Sequence, residues 1–173
     1  MEINRPSWED WFMGMCFWVS LRSPDPSTKH GAILCNSSHQ ILGVGYNGFP
    51  RGCNDGDMPL TRPEKYDIMI HAEENCLLNS QNLILGIGHT MYITGFPCSR
   101  CFAKIIQCGI HKVVYGPVPS MCVQEEQIQL VEKLSNSGNV SLEEYMGNFD
   151  GLKNIDIFKG MLQTCKKRIK KSF

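Results

Sequence analysis

From position 71 onward the chain alternates helical and extended signals, and that alternation limits the architectures open to it more than any other feature. Positions 71–79 read as a helix, 89–96 as a strand, 98–107 as a helix ending at Gly109, 112–115 as a strand, 125–134 as an amphipathic helix and 140–145 as a further strand. Upstream, Ser7-Trp8-Glu9-Asp10 opens like a capped helix. Trp8, Phe12, Met15 and Val19 then recur at helical spacing up to Ser23-Pro24-Asp25-Pro26, which predicts a first helix over about 7–22. Two apolar runs, 31–35 and 41–45, flank the polar Asn36-Ser37-Ser38-His39 and predict a hairpin. A last helix is expected over 155–171. Five strands with helices on both faces predict an α/β fold, a three-layer α/β/α sandwich around a five-stranded mixed sheet.

No repeat, low-complexity segment or linker divides the 173 residues, so a single domain over 1–173 is expected, with its core at about 7–145 and a basic helical tail at about 155–173. Seventeen basic and seventeen acidic side chains cancel, which argues against a broad electrostatic surface for nucleic acid. No apolar stretch is long enough to cross a bilayer. The first residues lack a secretory pattern, leaving the cytoplasm as the default compartment. Nine cysteines is an odd number, and only Cys98 and Cys101 have a recognised close spacing, so a disulfide framework is not expected. Positions 48–67, rich in Gly, Pro, Asn and Asp, read as a long loop.

The chemistry concentrates at two predicted helix starts. His71-Ala72-Glu73 opens one, and Pro97-Cys98-Ser99-Arg100-Cys101 opens another directly after a strand. Each motif alone is weak. In this order they match the H-x-E and P-C-x-x-C pair of the zinc nucleobase deaminases. A structural zinc closes with four protein ligands, whereas a catalytic one keeps a position for water. Cys108 lies about 10 Å beyond Cys101 along a helix, and Cys76 lies about 140° around the axis from His71. Neither is placed to be a fourth ligand; His30, Cys35 and Cys53 could serve only through tertiary folding. His71, Cys98 and Cys101 are therefore the expected ligands of Zn²⁺. Helix N-termini favour thiolates there. Zinc makes water a competent nucleophile near neutral pH. Glu73 is expected to take the water proton, pass it to N3 of cytosine while C4 is attacked, and then protonate the leaving amine. A structural zinc knuckle, with Glu73 a first-turn acid favoured by the dipole, is the alternative.

Further segments follow in a familiar order: Arg22-Ser23-Pro24-Asp25-Pro26, His30-Gly31-Ala32, Gly45-Tyr46-Asn47-Gly48-Phe49-Pro50-Arg51-Gly52-Cys53 and His71-Ala72-Glu73-Glu74-Asn75. From about Trp8 to about Tyr145 the chain resembles the deoxycytidylate (dCMP) deaminases, of the cytidine deaminase superfamily. The resemblance implies a cytidine deaminase-like fold and a hydrolase that converts dCMP to dUMP with release of ammonia, in pyrimidine deoxyribonucleotide metabolism. It implies that Asn47 hydrogen-bonds the deoxyribose and that Arg22 and Ser23 lie where the 5′-phosphate is received. It further implies that Phe96 and Pro97 line the base pocket and that the Ala72 N–H meets the pyrimidine carbonyl. Such enzymes are homohexamers activated by dCTP and inhibited by dTTP, with Mg²⁺ accompanying the triphosphate. Their effector segment corresponds to Gly45, Tyr46, Asn47, Gly48, Arg51 and Gly52.

Several residues keep a plainer reading. Asn47 before Gly48 suits a turn, and Arg22 suits a helix C-terminus. Lys166, Lys167, Arg168, Lys170 and Lys171 suit a solvated helix end. Trp8, Trp11, Phe12, Phe17 and Trp18 cover more of the first helix than one buried stripe requires, so either a thick core or another subunit covers them. Rival activities are deamination of a free nucleoside, of dCTP, or of a base in single-stranded nucleic acid. The rival outside enzymology is a zinc-containing nucleotide-binding regulator.

Overall fold

The computed structural model describes residues 5–80, 88–120 and 124–147. The basic tail and the helix expected over 155–171 lie outside the described residues. The elements run α1 (Trp8–Ser20), β1 (Gly31–Cys35), β2 (Ile41–Tyr46), α2 (Lys65–Ile68), α3 (Ala72–Asn79), β3 (Thr90–Ile93), α4 (Ser99–Gln107), β4 (Lys112–Tyr115), α5 (Glu125–Gly138) and β5 (Ser141–Glu144). The five strands form one sheet in the order β2-β1-β3-β4-β5. β1 pairs antiparallel with β2 and with β3, while β3–β4 and β4–β5 are parallel, so the sheet is mixed. Parallel neighbours need crossovers, and α4 and α5 supply them.

Strand alternation sorts the core into two layers. Ile33, Cys35, Tyr92 and Val114 face α1, where Phe12, Met13, Cys16 and Phe17 meet them. Ala32, Leu34, Met91, Ile93 and Val113 face the other way, onto Ala72, Cys76, Phe102, Ile105 and Val131 from α3, α4 and α5. The expected three layers are thus present. β1 is buried at every position because it lies between two strands and between two helical layers. The aromatic set of α1 divides: Phe12 and Phe17 join the core, while Trp8, Trp11 and Trp18 are about half exposed. Trp8 stacks on His39 at 4.3 Å.

The strand expected over 89–96 is shorter, spanning Thr90–Ile93, and two further regions differ from the sequence expectation. α5 continues past 134 to Gly138, because Asn139 adopts the left-handed conformation (φ 51°) and its N–H returns to the Ser135 carbonyl. The 48–67 loop is less irregular than its composition suggests. It holds a 3₁₀ turn at Asp55–Asp57, a Gly48–Ile70 bridge and the start of α2, whose Lys65 is buried. Ser7 caps α1 as expected, accepting from the Asp10 N–H.

α3 lies unusually close to β2. A Cβ at Gly45 would stand 2.2 Å from the Cys76 nitrogen and 2.3 Å from the Ala72 carbonyl oxygen, and one at Gly43 would stand 2.6 Å from the Cys76 carbonyl oxygen. Only glycine permits this approach. It sets the N-terminus of α3 at the site described next.

Candidate active site

The starts of α3 and α4 converge. His71 and Cys98 occupy the N-cap positions of the two helices, one step outside the first turns in which the sequence pattern places them. Cys98 Sγ caps α4 by accepting from the Cys101 N–H at 3.4 Å, whereas the His71 side chain caps nothing. Its Nδ1 is instead 3.6 Å from Cys98 Sγ and 3.5 Å from Cys101 Sγ. Zn–S bonds of about 2.3 Å and a Zn–N bond of about 2.0–2.1 Å place S and N about 3.6 Å apart in a tetrahedral site. The donor atoms therefore have the spacing and the chemistry that zinc requires. Among the described residues, His71, Cys98 and Cys101 are the one such cluster, with all three donor atoms within 4.8 Å of one another.

None of the other candidates joins them. Cys76 and Cys35 are buried in opposite core layers, Cys108 caps the far end of α4, and Cys53 is exposed. His30 is nearer the site, but its Nδ1 lies 3.1 Å from Thr94 Oγ1. The Cys98 sulfur pushes the His71 imidazole above its ordinary pKa against the effect of burial, with Glu73 adding to the rise. Cys98 and burial push the Cys101 thiol up. Two sulfurs and an imidazole this close favour either retained protons or a shared cation.

Glu73, in the first turn of α3, is 8% exposed, and burial raises its carboxyl above the usual carboxylate range despite the opposing pull of His71. It opens with His71, Ala72, Phe96 and Cys98 onto a cavity of about 480 Å³. Phe96 is braced edge-on by Tyr115 at 5.1 Å. A buried acid beside a metal-binding triad, on the wall of a small-ligand cavity, can move protons to and from a bound molecule.

A family model described as the cytidine and deoxycytidylate deaminase zinc-binding region matches residues 6–117. The chain belongs to this family. Human deoxycytidylate deaminase is 39% identical over 114 residues, covering 62% of this chain and 64% of the human protein. A probable deoxycytidylate deaminase of Drosophila melanogaster is 40% identical over 119 residues, covering 62% of this chain and 58% of the fly protein. The chain thus spans somewhat less than two thirds of the curated relatives it matches. Among solved structures, dCMP deaminase of the cyanophage S-TIM5 in complex with dCMP and dUMP aligns with a TM-score of 0.60 at 27% identity, over 82% of this chain and 99% of the phage chain. The fold is that of the cytidine deaminase family.

Within this deaminase domain the other expected contacts fall in different places. Asn47 and Ala72 line the cavity alongside Phe96; Pro97 is buried beside it without forming its wall. The Asn47 amide is largely engaged in bracing. Its Oδ1 accepts from the His30 N–H at 2.7 Å, and its Nδ2 donates to the Thr28 carbonyl at 3.0 Å. Arg22 and Ser23 are not on the wall. Arg22 is exposed with its guanidinium 6.0 Å from the centre of the Tyr46 ring, and Ser23 is buried, accepting from the Asp25 N–H at 3.2 Å. Of the segment Gly45 to Gly52, only Asn47 reaches the cavity. Gly45 serves helix packing, Gly48 pairs with Ile70, and Arg51 donates to Asn79 Oδ1 at 2.9 Å.

The cavity also has a wall that no motif announces. Lys65 reaches back 40 residues to Asp25, donating to both carboxylate oxygens at 2.8 Å and to Ser27 Oγ at 2.6 Å. Asp25 also accepts from Ser27 and Thr28. Burial pushes the Asp25 carboxyl up, but Lys65 and these hydrogen bonds prevail and hold it below its ordinary pKa. The pair fastens the end of the 48–67 loop to the segment before β1. Lysine inside a loop of glycine, proline and aspartate reads as solvated, so nothing local reveals the link.

Proposed function

We propose that this chain hydrolyses the 4-amino group of dCMP, giving dUMP and ammonia. The observation that carries this reading is the buried Glu73 carboxylate beside the His71, Cys98 and Cys101 cluster, on the wall of one cavity. Those three residues would hold Zn²⁺, whose Lewis acidity makes water nucleophilic near neutral pH. Glu73 takes a proton from the attacking water and delivers it to N3 as oxygen bonds to C4. It then carries the remaining hydroxyl proton to the amino group, so that C4 keeps the oxygen as a carbonyl and ammonia leaves. Burial favours the protonated form of Glu73, which suits the delivery half of this cycle. Phe96 packs against the base, Asn47 lies towards the sugar, and the Ala72 N–H at the helix start meets the pyrimidine carbonyl. The relatives named as dCMP deaminases support the choice of substrate.

Activation by dCTP, inhibition by dTTP, Mg²⁺ with the triphosphate, and a homohexamer belong to the same proposal and rest on the resemblance in the segment from Gly45 to Gly52. Ammonia release by the zinc-loaded protein should be measured on dCMP, dCTP, deoxycytidine and an oligonucleotide. The reading expects the highest kcat/KM on dCMP; no ammonia from any of them overturns it. Superimposable dCMP saturation curves with and without each triphosphate would remove the regulation.

A further inference from the structure

The outward face of α1 is apolar where a surface helix is ordinarily polar. Its exposed positions are Trp8, Glu9, Trp11 and Trp18, each indole being about half exposed. With the partly buried Met15, the tryptophans recur at steps of three, four and three, so they form one stripe along the helix. Trp8 stacks on His39, which covers one side of its ring. The stripe leaves roughly 400 Å² of apolar surface in water, at the upper end of what a folded chain keeps open. A second protein held by this patch alone is not expected, because stable interfaces bury about 800 Å² per partner. A segment already tied to the molecule needs less area, since it loses little translational freedom on docking.

The chain itself brings such a segment to the stripe. Tyr145 is buried against α1 and donates to the Asp10 carboxylate, and a Cβ on Gly147 would strike that same carboxylate. Gly147 therefore stands beside the first turn of α1, and residues 148–173 follow it. Among them Ile155, Phe158, Leu162, Cys165 and Ile169 recur at steps of three, four, three and four, a spacing that in a helix puts Lys167, Arg168 and Lys171 on the opposite side. Helices with apolar residues at these alternating steps pack along one another. Seven extended residues, 148–154, reach about 23 Å, and α1 is about 20 Å long, so the connection can place the segment anywhere along the stripe. We propose that residues 155–169 form a helix that covers the tryptophan stripe of α1 within the same chain.

All three tryptophans of the protein lie in the stripe, so indole fluorescence reads its cover directly. In the full-length protein, the Phe158→Asp/Leu162→Asp double variant should shift the emission to the red and raise acrylamide quenching about twofold, both independently of protein concentration. Coincident spectra and quenching in wild type and variant overturn the proposal. A second measurement leaves the tail intact. With photo-reactive p-benzoylphenylalanine in place of Trp18, irradiation of the full-length protein should join position 18 to a peptide within 155–169. When unlabelled and nitrogen-15-labelled chains are refolded together, each joined pair should carry a single isotope by mass spectrometry. Pairs of mixed isotope would assign the cover to a neighbouring copy, and no product within 155–169 would leave the tail elsewhere; either result overturns the proposal.

Discussion

The cavity has two walls built on different principles. The metal wall comes from the starts of α3 and α4, where functional atoms are fixed within a few residues by helix geometry: His71 with Glu73, and Cys98 with Cys101. The loop wall comes from residues 25–30 and 47–69, held by contacts that span up to 40 residues, such as Lys65 to Asp25 and Asn47 to His30. Chemistry that must be placed to a fraction of an ångström is assigned to the rigid wall. In the loop wall the buried Lys65–Asp25 pair and the Asn47 hydrogen bonds tie the two segments together.

Damage to each wall should look different. The largest effect belongs to the metal wall: Glu73→Gln keeps the shape of the side chain, so zinc measured by elemental analysis should stay near stoichiometric while dCMP turnover falls about 10²- to 10⁴-fold. Retained zinc with undiminished turnover would remove Glu73 from the chemistry. On the loop wall the loss should be of stability. Lys65→Met leaves Asp25 buried without its cation and should destabilise the fold by about 3 kcal/mol in urea unfolding. The Asp25→Asn/Lys65→Met double variant should lose less than Lys65→Met alone; a larger loss would mean that Lys65 acts other than through Asp25.

Acid should expose the same contrast more gently. Because Lys65 and its neighbouring hydrogen bonds hold the folded Asp25 pKa below that of an ordinary aspartate, its contribution is fully present above the unfolded pKa and is lost as pH falls through the folded pKa. The stability difference between wild type and Asp25→Asn, followed from pH 6 downward, should therefore hold to about pH 4 and shrink below it. A difference that grows on acidification contradicts the assigned sign. The smallest effect is expected at Arg22, which stands off both walls. Arg22→Ala should change KM for dCMP by less than about threefold, as for a surface substitution. A tenfold rise would put the phosphate at the end of α1.

This contrast also explains what was legible in the sequence. The strands at 31–35 and 112–115 and the metal cluster could be read because periodicity and helix starts are local. The extension of α5 to Gly138 was not readable, since it depends on the left-handed Asn139 rather than on the helix-poor residues before it. Nor was the link from Lys65 to Asp25, because a buried lysine is recognised by its partner and the partner lies 40 residues away. Asn47 before Gly48 fits a turn or a sugar ligand in the sequence, whereas its bracing of Thr28 and His30 depends on contacts 19 and 17 residues away.

The spacing between α3 and β2 extends the metal wall beyond the residues that would touch a metal. At Gly45 a single added methyl carbon would meet backbone atoms of α3 at 2.2 and 2.3 Å, atoms that cannot rotate aside as a side chain would. The helix would have to retreat by about 1 Å, and displacements of that size lower catalytic rates about 100-fold. His71 heads that helix, so the imidazole would be carried away from two sulfurs anchored on a different helix. Position 45 has no functional group, yet it works as a spacer gauge: the bulk of its side chain sets how far apart the two halves of the metal site stand.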